Sequence, residues 1–174
     1  MMRWWWLTVM MLLTACSGVP QGLQPVSGFE LERYLGRWYE IARLDHSFEH
    51  GLTHVTAEYR LLPEGRVEVI NHGFDPAKAA WRDAKGVARF QGARDIGSLE
   101  VSFFGPFYGA YNVLVLDADY RYALVAGPSR DYLWILARDP KLDHATLEAL
   151  VARAKEWGFA TDALIYVDQT PRAM

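Results

Sequence analysis

The feature that most constrains this chain is a series of short segments in which apolar and polar residues alternate. Alternation with a period of two gives a β-strand one apolar and one polar face. Turn residues such as Pro63-Glu64-Gly65 and Gly127-Pro128-Ser129 separate neighbouring segments. The predicted strands cover residues 36–43, 55–60, 67–70, 86–90, 99–103, 111–116, 122–126 and 132–136. Strands repeated about every 8–12 residues are typical of antiparallel barrels and sandwiches.

A single helix is predicted after these strands, with Asp143 as its N-cap and Gly158 at its end. Five apolar residues share one face of it at helical spacing: Leu147, Leu150, Val151, Ala154 and Trp157. A short strand at 163–167 follows, and residues 29–35 are compatible with a helical turn before the first strand. The order favours an all-β fold: an eight-stranded antiparallel up-and-down β-barrel with one C-terminal α-helix packed outside.

Composition excludes several other classes of protein. The 174 residues suffice for one domain with a real core, and 51% of them are hydrophobic, which argues against disorder. The formal net charge is only -3, and no lysine- or arginine-rich block occurs. Nucleic-acid binding is therefore not expected.

The N-terminus has the pattern of an export signal. A positive start at Arg3 precedes an apolar run over residues 4–13, which is too short to span a bilayer stably. Leu13-Thr14-Ala15-Cys16 then resembles the bacterial lipobox, which implies a lipoprotein signal peptide at 1–15 and a lipid attached to Cys16. The alternative is an ordinary secretory signal with an incidental cysteine.

The mature chain would have no other cysteine, so no internal disulfide can form and packing alone must hold the domain together. Ser17 after Cys16, in place of an aspartate that favours inner-membrane retention, points to the outer membrane, facing the periplasm. Residues 16–27 are rich in Gly, Pro and polar residues and are interpreted as the lipidated N-terminus and a tether.

Three short motifs resemble those of the lipocalins, which are cup-shaped barrels that bind apolar ligands. Gly36-Arg37-Trp38-Tyr39-Glu40 resembles the first motif, and Asp119-Tyr120 resembles the second, with Ala118 in place of a threonine. Arg138 resembles the third motif, whose arginine packs across the tryptophan of the first motif and closes the narrow end. The resemblance implies that Gly36, Trp38, Asp119, Tyr120 and Arg138 are structural.

The resemblance covers a lipocalin domain at about residues 28–170. The segments 103–109 and 130–136 look especially like the bacterial outer-membrane lipocalins and apolipoprotein D. By this resemblance, ten residues point into the barrel and are candidates for ligand binding: Tyr59, Val69, Asn71, Phe90, Val101, Phe103, Tyr111, Val113, Tyr132 and Trp134. Their mainly apolar character suits an acyl chain with a polar head near the mouth. Alternatively, several of them only fill a core.

Residues 45–51 lie where lipocalins carry a lid loop. His46, His50 and His54 invite a metal or haem interpretation, but they show no His-Glu-x-x-His helix or comparable ligand pattern, and solvated histidines are favoured. No metal and no cofactor are therefore predicted. The aromatic segment 104–108 is either a homodimer surface or a packed turn.

The resemblance implies an outer-membrane lipoprotein that stores or transports a fatty acid or lysophospholipid, in membrane maintenance or stress, and is not an enzyme. No Gly-x-Ser-x-Gly elbow occurs, no serine has an evident His/Asp arrangement, and no catalytic residue is predicted. The alternatives are a binder of haem or another hydrophobic ligand, a lipid-acting enzyme, and a structural envelope protein with a completely filled barrel.

Overall fold

Eight antiparallel strands close into a barrel in the computed structural model, which describes residues 18–171. The predicted signal peptide and Cys16 lie outside the described residues. The barrel strands are β1 Gly36–Arg43, β2 Thr53–Leu61, β3 Val67–Asp75, β4 Ala80–Phe90, β5 Ser98–Phe104, β6 Phe107–Leu116, β7 Tyr122–Ala126 and β8 Leu133–Ala137. Each strand pairs with its neighbours in sequence, and β1 pairs with both β2 and β8, which closes the barrel. The fold prediction is confirmed.

A short ninth strand, β9 at Ile165–Tyr166, pairs with the end of β1 at Ala42 and Arg43.

Because the strands run alternately up and down, the loops after β1, β3, β5 and β7 lie at one end, called the mouth below. A four-residue helix, α1 at Leu31–Tyr34, lies at the opposite, closed end beside the start of β1.

Strand β4 begins six residues earlier than the alternation predicts, at Ala80 rather than at residue 86. Its first half, Ala80–Lys85, is exposed and lacks an apolar face, so the sequence carries no period-two signal there. Pairing with β3 keeps it extended, from Asp75 opposite Ala80 to Asn71 opposite Ala84.

The predicted helix is α2, His144–Glu156, and the Asp143 carboxylate accepts a hydrogen bond from the Thr146 backbone N–H at 2.9 Å. Leu150 and Ala154 are its buried residues, and they belong to an apolar cluster between the helix and the outer wall of the barrel. Across residues 18–171, no helix combines the length and apolar character needed to cross a membrane.

Residues 18–27, called the N-terminal segment below, lie along the outer wall, although the sequence predicts a tether there. The Gly18 carbonyl accepts a hydrogen bond from Asn112 Nδ2 at 2.7 Å, and the Val26 N–H donates to the Val113 carbonyl at 2.9 Å. Pro20 is buried. The outer wall therefore holds most of the predicted tether through hydrogen bonds to β6. The composition of the segment does not reveal these partners.

Candidate functional site

The structure places most of the ten candidate ligand residues on the inner wall of the barrel. Eight of them belong to the interior apolar cluster: Tyr59, Val69, Phe90, Val101, Phe103, Tyr111, Val113 and Trp134. Asn71 lies directly opposite Ala57, which packs against the same cluster, so it shares the inner face. Tyr132 lies outside the cluster, at the mouth, where it stacks on His46. Ligand contact by these residues stays a prediction.

The closed end of the barrel brings Trp38 and Arg138 together. The Arg138 guanidinium carbon lies 4.0 Å from the centroid of the Trp38 ring, within cation–π range. Its nitrogens donate to the carbonyls of Arg37 at 2.8 Å, Arg33 at 2.7 Å and Tyr120 at 3.2 Å. Arg138 therefore ties α1, β1 and the β6–β7 turn to one another.

The other motif residues lie at turns beside this end. Gly36 has a φ of +90°, which a residue with a side chain adopts only under strain. In the β6–β7 turn the Asp117 carboxylate accepts from the Asp119 N–H at 3.2 Å, and Tyr120 has a φ of +59°. The buried Tyr120 hydroxyl accepts from the Glu30 N–H at 2.8 Å, so this turn also holds the chain that enters α1.

Three tyrosine hydroxyls form a polar chain inside the barrel. The Tyr111 hydroxyl lies 2.7 Å from that of Tyr34 and 2.8 Å from that of Tyr59. Burial raises the pKa of each of the three well above its ordinary value, so all three stay protonated and can donate. The interior thus offers hydroxyl groups at this depth of the barrel.

A buried ionic cluster, which the sequence analysis missed, lies above the tyrosines. Arg43 Nη1 donates to Glu40 Oε1 at 2.6 Å, and Arg43 Nη2 donates to the carbonyls of Glu49 at 3.0 Å and Leu52 at 3.2 Å. The Glu49 carboxylate in turn accepts from Trp134 Nε1 at 2.9 Å. The β1–β2 loop, residues 44–52, therefore reaches into the mouth and is held there by Arg43.

One guanidinium faces two carboxyl groups in this cluster. Burial, reinforced by the charge of Glu49, raises the pKa of Glu40 to about 8, although Arg43 opposes the shift. Burial also raises the pKa of Glu49, against the hydrogen bond from Trp134 and the charge of Arg43. When one carboxyl keeps its proton, the buried charges balance, which lowers the cost of burying them.

A bulge in β1 brings Arg43 into this cluster. Glu40 lies opposite Leu136, but Ala42 lies opposite Ile135, so β1 contains one residue more than β8 between these pairs. Strict alternation from Trp38 and Glu40 would turn Ala42 inward and Arg43 outward. The extra residue reverses this, so that Arg43 lies opposite Trp134.

The prediction of solvated histidines is wrong for His46, which is buried. Its ring stacks on Tyr132, with the centroids 4.8 Å apart, and on Phe48, with the centroids 5.3 Å apart, and burial lowers its pKa. His50 is exposed, and its Nδ1 lies 2.6 Å from Asp45 Oδ2. His54 Nε2 lies 2.6 Å from the Thr170 carbonyl oxygen.

In the part of the chain that the structure describes, no three His, Cys, Asp or Glu residues are placed to hold a metal ion.

Part of the inner wall remains accessible. Asn71, Val101, Phe103 and Tyr111 are only partly buried although they face inward. The inner face of β4 beside them carries only small residues in its central part: Ala84, Gly86 and Ala88. The Phe103 ring packs on Gly86, where an added Cβ would lie 2.9 Å from it, and Gly86 and Ala88 are buried. Ala84 is exposed, so the accessible part of this inner wall lies around Ala84 and Asn71, towards the mouth.

A second concave surface lies on the outside of the barrel. This groove, of about 900 Å³, runs between the N-terminal segment and the outer faces of β4, β5 and β6. Its lining includes Arg89, Gln91, Ser98 and Glu100, which are polar or charged. Apolar residues such as Pro25 and Ile96 line it as well, but the Arg89–Glu100 ion pair lies within the groove and would leave charged groups against an acyl chain.

The β5–β6 hairpin displays aromatic rings at the mouth. Phe104 is 80% exposed and Phe107 is 78% exposed, and Tyr108 is exposed as well. The aromatic hairpin is thus a surface feature rather than a packed turn. Exposed apolar patches of this kind are often interaction sites.

Comparison with known proteins agrees with this geometry. A lipocalin-like domain matches residues 29–169. The chain is 51% identical over 159 residues to the outer membrane lipoprotein Blc of Vibrio cholerae, covering 91% of this chain and 93% of that protein. It is also 33% identical over 149 residues to apolipoprotein D of Mus musculus, covering 81% of this chain and 77% of that protein.

Among solved structures, the cockroach allergen Per a 4 superimposes with a TM-score of 0.68 at 19% identity, covering 88% of this chain and 97% of that one, which concerns the fold alone. The family match and the relatives confirm the predicted resemblance to lipocalins and the predicted class of outer-membrane lipoprotein. The barrel, its closed end and the matched sequence lead to one conclusion: the chain belongs to the lipocalin family, whose members generally bind hydrophobic ligands.

Proposed function

We propose that this protein is a lipid-anchored outer-membrane lipoprotein, facing the periplasm, that stores or transports a fatty acid or lysophospholipid in the bacterial envelope. Membrane maintenance or stress is the proposed setting. The observation that carries the proposal is the accessible inner wall, where Ala84 is exposed and Asn71, Phe103 and Tyr111 are only partly buried although they face inward. An acyl chain is the elongated apolar group that such a space accommodates.

The polar groups of the interior support an amphiphile rather than a plain hydrocarbon. The tyrosine hydroxyls lie within the wall, and Arg43 and Trp134 lie nearer the mouth. A ligand with a polar head at the mouth and a chain below it would match this order. We propose binding without chemistry, because neither the tyrosine hydroxyls nor the Arg43 and Trp134 side chains are arranged as a nucleophile beside a base.

Attachment to the membrane is proposed through a lipid on Cys16. The resemblance of Leu13-Thr14-Ala15-Cys16 to a lipobox supports it, as do relatives named as outer membrane lipoproteins. The mass of the protein extracted from membranes tests it. An acylated N-terminal cysteine is expected, and Cys16→Ser should release the protein in soluble form; an unmodified cysteine in the membrane fraction would contradict the proposal.

Ligand binding is tested by native mass spectrometry on the mature chain carrying Cys16→Ser. The delipidated protein is offered fatty acids, lysophospholipids and haem together, and one lysophospholipid or fatty acid per barrel is expected. Ala84→Leu should weaken retention about tenfold, because its added methyl groups occupy the space on the inner wall. Lys85→Leu, one residue away on the outer face of β4, is the matched control and should bind normally.

The other outcomes separate the alternative functions. No retained ligand would favour a filled barrel with a structural role. A product mass in place of the added lipid would indicate an enzyme. Haem retained in preference to lipid, and lost in His46→Phe, would indicate a haem protein.

A further inference from the structure

An ionic cluster is buried in the mouth of the barrel. Arg43, Glu40 and Glu49 are 1%, 4% and 6% exposed. Removing such charges from water is strongly unfavourable unless they pair with one another. A cluster that is buried at this cost, at the entrance to the proposed binding space, is a candidate for ligand recognition.

Two nitrogens at this place lack hydrogen-bond partners. Arg43 Nε and His46 Nε2 are fully buried and unbonded. Glu49 Oε1 is the acidic oxygen facing Arg43 Nε, but at 3.9 Å it is too distant for a hydrogen bond. A guanidinium N–H is an obligatory donor, so Arg43 has binding capacity that the protein's own groups leave unused.

Glu49 is also the member of the cluster that can leave most easily. Glu40, Arg43 and Trp134 belong to barrel strands, whereas Glu49 lies in the β1–β2 loop. Loops rearrange at a lower cost than the strands of a closed sheet. The Glu49 carboxylate can therefore move away from the Trp134 indole while Glu40 still pairs with Arg43.

We propose that Arg43 and the indole N–H of Trp134 form an anion site in the mouth, which the Glu49 carboxylate occupies in this structure and which the anionic head group of a bound amphiphile occupies in its place. This inference rests on the proposed function and names its head-group chemistry. A guanidinium forms bidentate pairs with both carboxylate and phosphate oxygens, so the recognised group is an oxyanion of either kind. From there the chain of the ligand extends towards Tyr111 and the accessible inner wall.

The test compares amphiphiles that differ only in the charge of the head. Calorimetric titrations of the mature chain carrying Cys16→Ser use hexadecanoic acid against hexadecanol, and palmitoyl lysophosphatidic acid against palmitoylglycerol. Each anionic probe is expected to bind about tenfold more tightly than its neutral partner. The larger of the two differences identifies carboxylate or phosphate as the preferred oxyanion.

Glu49→Gln provides the decisive variant, because glutamine keeps the size and the acceptor for Trp134 but removes the competing charge. It should strengthen binding of the anionic probes by about tenfold and leave the neutral probes unchanged. Glu58→Gln is the matched control: its carboxylate pairs with Arg60 on the outside of the barrel and should affect neither class. Arg43→Gln, if circular dichroism shows it folded, should abolish the difference between anionic and neutral probes.

Each contrary result has a distinct meaning. Equal binding of anionic and neutral probes, unaffected by Glu49→Gln, overturns the anion site and leaves the proposed lipid-binding function in place. Failure of every probe to bind overturns the proposed function and the anion site with it. If Arg43→Gln does not fold, the Glu49→Gln titrations decide alone.

Discussion

Glu40 carries its carboxyl group into the barrel, and its ionisation should make stability depend on pH. Folding raises its pKa from an ordinary 4.5 to about 8, mainly through burial and then through the charge of Glu49, against the attraction of Arg43. Between these two values the folded protein holds a proton that the unfolded chain has released. By linkage, the free energy of unfolding falls as pH rises through this window.

Glu40→Gln should remove much of this dependence. We expect the free energy of unfolding of the wild type to fall by a few kcal/mol, roughly, between pH 5 and pH 8.5, and that of the variant to change less. Urea unfolding at several pH values measures both. Glu156→Gln, an exposed residue of α2, is the control, and parallel pH profiles for wild type and Glu40→Gln would contradict the prediction.

Arg138 is a second residue whose effect can be predicted, because it bonds three backbone carbonyls and covers Trp38. Arg138→Lys keeps the charge and most of the stem but loses the planar fork. It should lower the free energy of unfolding by about 2–4 kcal/mol, since several charge-assisted bonds are lost together. Urea midpoints measure the loss. As a control, Arg37→Lys at an exposed position should leave the free energy of unfolding nearly unchanged. Equal effects of the two variants would refute the structural role of Arg138.

At the scale of elements, α2 stabilises the barrel from outside without touching its interior. Leu150 packs in the cluster between helix and wall, whereas the candidate ligand residues belong to the separate interior cluster. Leu150→Ala should cost about 2–4 kcal/mol of stability while the affinity for ligand in the folded protein stays unchanged. Glu148→Ala, on the exposed side of α2, is the control, and a large loss of affinity in Leu150→Ala would contradict this separation.

One buried side chain of β6 holds the start of the N-terminal segment. Asn112 Nδ2 donates to the carbonyls of Gly18 and Gly127, and Asn112 Oδ1 accepts from Ser98 Oγ. Asn112→Ala should therefore release the start of the segment from the wall and increase its amide hydrogen exchange. Exchange within α2 serves as the internal reference. Unchanged exchange at residues 18–24 would show that the other contacts of the segment, including the 2.8 Å hydrogen bond from Arg130 Nη2 to the Gln21 carbonyl, suffice to hold it.

For the whole molecule, the exposed rings of the β5–β6 hairpin predict self-association through the mouth. We expect sedimentation velocity to show a concentration-dependent homodimer that Phe107→Ser weakens, because an exposed aromatic patch loses its apolar contact area. Leu61 is 51% exposed at the opposite end of the barrel, so Leu61→Ser is the matched control. A monomer at all concentrations would contradict the dimer.

The sequence alone determined the architecture. Period-two alternation, turn residues and the Asp143 cap are local signals, and they sufficed for the eight strands and the helix. The resemblance to lipocalins supplied the inward-facing row, from Tyr59 to Trp134, most of which lies in the interior cluster. The local signals failed for the first half of β4, where small and charged residues conceal the alternation and pairing with β3 alone keeps the strand extended.

Only the tertiary structure decided what lies in the mouth. A single extra residue in β1 turns Arg43 inward, and a bulge of this kind depends on pairing with β8 rather than on local sequence. Likewise, Glu49 and His46 are buried because their loop folds onto Arg43, Trp134 and Tyr132, which lie far from it in the chain. Strand patterns are local and readable from the sequence, whereas the charge inside this barrel comes from contacts between distant segments.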